Sequence, residues 1–148
     1  MLLWVGITFA FQLGKFFKVM LMKEKFTLLI ADRNRNIREF LQRELVTDGY
    51  RVLLACDGRQ VVKIIEKEAP DLLIVDFDIP YADELRVFER LHDANQLIPM
   101  LVHTLPPGDT TSSFIQKAAG FVEKDGNNIT NLKDTITQVL RLHYPHRF

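Results

Sequence analysis

The sequence predicts an α/β fold, a doubly wound five-stranded parallel sheet with helices on both faces. Three observations predict it. Short apolar runs alternate with stretches of helical periodicity from Phe26 onward. The run Asp71–Asp76 (DLLIVD) does not alternate with polar residues, as a strand buried on both faces should not. No repeat or low-complexity linker interrupts the pattern, so the alternation reads as one sheet with right-handed crossovers.

Phe26–Ala31 (FTLLIA) is the first strand and runs into Asp32. Ile37, Phe40, Leu41 and Leu45 then recur at helical spacing, a helix from about Asn36 to Thr47 closed by Asp48-Gly49. Tyr50–Ala55 is the second strand, and Val61, Ile64 and Ile65 mark a second helix that Pro70 stops. Asp71–Asp76 is the third strand, and Leu85, Phe88 and Leu91 define a third helix. Pro99–His103 is the fourth strand, followed by an irregular Pro106-Pro107-Gly108 loop. Asp109 is placed to cap a short, Thr/Ser-rich fourth helix. Gly120–Glu123 is the fifth strand. Asn128 or Thr130 would cap a final helix with Ile129, Leu132, Ile136, Val139 and Leu140 on its apolar face.

Composition narrows the function classes. The chain has 148 residues, 19 Lys plus Arg against 19 Asp plus Glu, and one cysteine. Zero net charge disfavours a nucleic-acid binder that relies on a basic face. A lone Cys56 cannot form an internal disulfide, and a reducing, cytoplasmic compartment is the simplest expectation. Residues 23–142 make the domain and 143–148 a short tail; Arg141, at the end of the domain, and His143, His146 and Arg147 in the tail read as a solvated basic terminus. His92, His103, His143 and His146 show no metal-ligand spacing and read as structural.

Residues 1–22 stand apart. Met1 to Gly14 carry no charge, and Lys15 and Lys18 follow the apolar run rather than precede it, the wrong order for a secretory signal. Three readings stay open for this segment: a membrane anchor with its lysines on the cytoplasmic side, a helix docked on the domain, or residues upstream of a start at Met20 or Met22.

Ligands of doubly wound sheets sit at the carboxyl ends of the strands. Asp32, Asp76, Thr104 and Lys124 all fall there, four polar groups on one edge of an apolar sheet. No Walker-A loop, Rossmann glycine fingerprint or Gly-x-Ser-x-Gly elbow occurs.

The stretches LLIADRNRNIREFL, DGYRV, DLLIVDFDIP, the strand ending in HT, and AAGFVEK, in this order, resemble a two-component response-regulator receiver domain over about Phe26 to Leu142. That resemblance implies a flavodoxin-like strand order, 2-1-3-4-5. It implies a phosphoryl acceptor at Asp76, supplied by a sensor histidine kinase or phosphotransfer protein. It also implies Mg²⁺ beside Asp76, held by Asp32, Asp76 and the backbone carbonyl of Asp78. Thr104 and Lys124 would bind the phosphoryl oxygens, and Phe121 would sit at the aromatic switch position, where the plain alternative is a partly buried core aromatic. A single-domain regulator of this kind changes its affinity for a protein partner and is not a turnover enzyme.

Two departures from the family qualify this. The second acid of the usual pair after the first strand is Arg33, which is expected to weaken Mg²⁺ binding or stand in its place. Asp78 could restore a third carboxylate by turning inward. Leu105 replaces a small residue and should narrow the path to Asp76. The competing expectation is a phosphorylation-independent pseudo-receiver, an interaction module locked by an Arg33–Asp76 pair.

Overall fold

The computed structural model describes residue 6 and residues 9–17, 26–86, 98–105, 117–126 and 129–148. Five parallel strands lie in the order β2-β1-β3-β4-β5: β1 (Thr27–Ala31), β2 (Arg51–Ala55), β3 (Leu72–Val75), β4 (Met100–Thr104) and β5 (Gly120–Glu123). The register aligns Ala31 with both Ala55 and Val75, and Thr104 with Glu123. The strands therefore end on a common edge, and the residue after each is delivered to it.

Three α-helices flank the sheet among the described residues: α1 (Arg35–Thr47), α2 (Gly58–Glu68) and α3 (Ile129–His143). Side-chain alternation divides the core into two layers. Leu28, Ile30, Leu72 and Ile74 pack with Leu45 of α1 and Ile136 of α3. Leu29, Ala31, Leu73 and Val75 face the other way, toward Val61 of α2 and Leu85. Both faces of β3 are covered, which is why all four of its residues are buried and why its sequence lacks alternation.

The helix starts are set locally. The Asn34 side chain caps α1 by accepting from the backbone N–H groups of Asn36 and Ile37, and Asp57 caps α2 by accepting from Gln60 N–H at 2.8 Å, the role short polar side chains play at this position. α2 ends on Ala69 in the left-handed region (φ 44°), just before Pro70, which cannot continue a helix.

The final helix begins at Ile129, so Thr130 lies within its first turn rather than at the cap; Asn128 lies outside the described residues. Of the expected third helix, a 3-10 turn over Ala82–Arg86 is described, while Phe88 and Leu91 lie outside the described residues, as does the fourth helix expected from Asp109.

The basic tail corrects an expectation. It is not a free solvated terminus. Arg147 pairs with Asp71 at 2.6 Å and stacks 4.0 Å from the Phe26 ring. Tyr144 donates its hydroxyl to the Asp71 carbonyl at 2.7 Å, and Phe148 packs against Phe26. Asp71 also accepts the Thr27 N–H at 2.7 Å, so the tail is linked through Asp71 to the start of β1.

Residues 9–17 form a helical segment whose residues are all exposed.

Candidate functional site

Two backbone hydrogen bonds set the site. Asp32 N–H donates to the Ala55 carbonyl at 3.2 Å and Asp76 N–H to the Ala31 carbonyl at 2.9 Å. Each extends the sheet pairing by one step, so both aspartates stand immediately past the sheet edge. They are the two buried charged residues among those described, 2% and 6% exposed. Buried carboxylates need partners, and these have them. Lys124 Nζ lies 2.6 Å from Asp32 Oδ2 and also pairs with Asp76 Oδ2. Thr104 donates its hydroxyl to Asp76 Oδ1 at 2.9 Å, and Asp78 N–H donates to the same oxygen at 3.0 Å. Asn34 N–H donates to Asp32 Oδ1 at 2.8 Å. Lys124 is itself anchored where β5 ends, its N–H donating to the Thr104 carbonyl at 2.7 Å.

Electrostatics follows from this geometry. Burial would push the Asp76 carboxyl up, but Lys124, Asp78 N–H and Thr104 together hold it below its ordinary value. Burial would lower the Lys124 ammonium, but Asp32 and Asp76 raise it. Asp76 is therefore ionised at neutral pH, the state a carboxylate nucleophile requires.

A cavity of about 410 Å³ opens beside the carboxylates, lined in part by Ile37, Leu41, Leu132, His103 and Lys124. Burial, and then the charge of Lys124, lowers the His103 imidazole to about 4, against the opposing pull of Asp32 and Asp76.

The four residues predicted from strand ends thus converge. Other expectations are corrected. Arg33 does not pair with Asp76: its guanidinium lies 3.2 Å from Asp78 Oδ2, and both side chains are mostly exposed, 64% and 71%. Asp78 accordingly does not turn inward as a third carboxylate. It faces out and takes up the charge of Arg33. Phe121 is not a partly buried core aromatic; it is exposed, alternating with the buried Val122. Leu105 is exposed at the lip of the cavity.

Sequence reasoning missed Arg38, whose Nη1 donates to the carbonyls of Asp32 at 2.6 Å and Arg33 at 3.0 Å, bracing the loop that carries Asp32. Its place one turn into α1 was the available signal. His103 was set aside as structural, although a histidine next to Thr104 in a parallel strand had to face a core layer.

Residues 28–137 match the response regulator receiver domain, and the chain belongs to that family. It is 38% identical over 77 residues to the response regulator MprA of Mycolicibacterium vanbaalenii, a match covering 52% of this chain and 33% of that protein. MprA of Mycobacterium tuberculosis gives 38% over 77 residues, covering 52% and 34%. The matches span about a third of the length of these curated relatives.

Among solved structures, the response regulator TrrA of Thermotoga maritima, in complex with Mg²⁺-BeF, superposes with a TM-score of 0.66 at 26% identity, covering 78% of this chain and 99% of that one. TrrA in complex with the histidine kinase ThkA superposes equally, TM-score 0.66 at 25% identity, covering 78% and 98%. A two-component response regulator from Clostridium difficile, at 16% identity and TM-score 0.69 over 81% and 99%, shares the fold.

The donor set fits Mg²⁺. Oxygens of Asp32 and Asp76 converge on one cation, the Lys124 ammonium, and Mg²⁺ needs only one or two carboxylates because it retains several waters.

Proposed function

We propose that this receiver domain takes part in two-component signalling by accepting a phosphoryl group on Asp76 from a sensor histidine kinase or phosphotransfer protein, and passes the signal on through changed affinity for a protein partner. The observation that supports this best is the ionised Asp76 at the sheet edge, held by Thr104 and Lys124.

A carboxylate oxygen of Asp76 attacks the phosphorus, the bond from phosphorus to the donor breaks, and the leaving group departs with that electron pair. The product is an acyl phosphate. Lys124 and Thr104 can then transfer their contacts from the carboxylate to the phosphoryl oxygens, as a cation and a hydroxyl donor suit an anion. Asp32, Asp76 and the Asp78 carbonyl would hold Mg²⁺, which supplies charge neutralisation on the transferring group. Arg33 weakens that binding by adding a second cation close by, an effect moderated by its Asp78 partner and by solvent screening. The domain is a phosphoryl acceptor, not a turnover enzyme.

The test is intact mass after incubation with a small phosphoryl donor, with and without Mg²⁺, for the wild type and Asp76→Asn. One phosphoryl adduct that requires Asp76 is expected. A folded wild-type protein that forms none, from the small donor or from kinase, would instead be a phosphorylation-independent interaction module.

A further inference from the structure

We infer that the cavity between α1 and α3 at the sheet edge binds a small primary amine carrying an apolar chain, its ammonium toward Asp32 and Asp76 and its chain against the two helices.

The cavity has one apolar end and one charged end. Ile37 and Leu41 of α1 and Ile129 and Leu132 of α3 line a space of about 410 Å³, a volume within the range of small-molecule sites. Ile37 and Ile129 are only partly buried by the core they pack on. The sequence that follows Lys124, Asp-Gly-Asn-Asn, offers no apolar side chain to cover these walls, and a hydrated metal ion offers them nothing. An apolar chain covers them, with a gain in affinity of about fourfold for each methylene taken out of water.

Charge selects the head group. Among the described residues lining the cavity, four aspartates (Asp32, Asp76, Asp78 and Asp125) face two cations, Arg33 and Lys124. Two negative charges are therefore in excess, and the neutral His103 adds none. Hydrogen bonding points the same way. Each carboxylate has about four lone-pair directions. Asp32 is met by the Asn34 N–H and Lys124, and Asp76 by Thr104, the Asp78 N–H and Lys124. Acceptor capacity is left on both, and an ammonium, with three donors and no acceptor, fills it. A carboxylate or phosphate head would add charge of the sign already in excess.

The ammonium would use the same carboxylate oxygens as Mg²⁺, so binding is measured in EDTA without a phosphoryl donor. Its outcome then does not depend on the phosphoryl reading. Isothermal titration of the full chain compares hexylamine with hexanol, hexanoate and methylamine. One hexylamine per chain is expected, bound at least about tenfold more tightly than any of the other three. Ile37→Trp and Ile129→Phe each place a larger side chain in the cavity and should weaken hexylamine at least about tenfold, with circular dichroism confirming the fold. If one of them does not fold, the other decides. No binding of hexylamine overturns the inference. Hexanol binding equally well would overturn the choice of an amine, and methylamine binding equally well would overturn the role of the apolar walls. Binding indifferent to the cavity-filling substitutions would place the amine elsewhere and overturn the site.

Discussion

Lys124 holds its ammonium 2.6 Å from the buried Asp32 carboxylate, joining the end of β5 to the end of β1 across the sheet edge. Because it also pairs with Asp76, one cation compensates two buried acids, and the site is assembled before any donor arrives.

Lys124→Met removes that compensation and leaves two carboxylates facing each other. Breaking a buried pair from one side costs about 3 to 5 kcal/mol, and destabilisation of that order is expected at pH 7 in urea unfolding. The loss should shrink as the carboxylates are neutralised at low pH. A variant as stable as the wild type at pH 7 would contradict the arrangement.

Stability should depend on pH in a way set by His103, which faces Lys124, Asp32 and Asp76. The unfolded chain takes up this proton near 6.5 and the folded domain only near 4. Between those values the unfolded state binds more protons, so stability falls as pH drops through that window, by on the order of 3 kcal/mol in all. Asp76, held below its ordinary 3.8, adds a contribution that is present above that value and lost only as pH falls through its lower folded value. Lys124, raised above 10.5, contributes below that pH and loses its contribution as pH rises through the raised value. Unfolding curves for the wild type and His103→Leu should differ in slope between pH 6.5 and 4 and run parallel above.

Gly58 admits no side chain. A Cβ there would lie 2.0 Å from the Tyr81 carbonyl oxygen and 2.8 Å from its carbon. Gly58 N–H donates to the Pro80 carbonyl at 2.9 Å, and Tyr81 is itself in the left-handed region (φ 57°), so the loop after β3 has little freedom to retreat. Gly58→Ala should destabilise by roughly 2 kcal/mol or more and, because this loop carries Asp78, slow phosphorylation of Asp76. Thermal unfolding and the rate of adduct formation check both.

Arg33→Asp removes a cation and adds an anion at the loop beside Asp32. Tighter Mg²⁺ binding is expected, by roughly tenfold, corresponding to about 1.4 kcal/mol. Arg33→Gln should give a smaller gain. Isothermal titration measures both, and equal affinity in all three proteins would remove Arg33 from the account of the metal site.

Much of this was legible in the chain because the signals are local. A strand buried on both faces must be apolar throughout, so β1 and β3 announce themselves, and an aspartate that ends such a run must stand at the sheet edge. Asp32, Asp76, Thr104 and Lys124 were placed by that reasoning. The strand order and the chemistry came through family resemblance, since periodicity does not say which strands are neighbours.

Tertiary structure decided the directions of long or mobile side chains. Arg33 had two carboxylates within plausible reach, and the choice of Asp78 over Asp76 was made because Lys124, Thr104 and a backbone N–H already occupy Asp76. Arg147 met Asp71 only because the return of α3 brings the chain's end beside β1. Phe121 is exposed because β5 is the last strand of the sheet, with Val122 taking the inward position. Local sequence determined which residues reach the sheet edge; competition among partners, possible only once the strands had come together, determined what each of them touches.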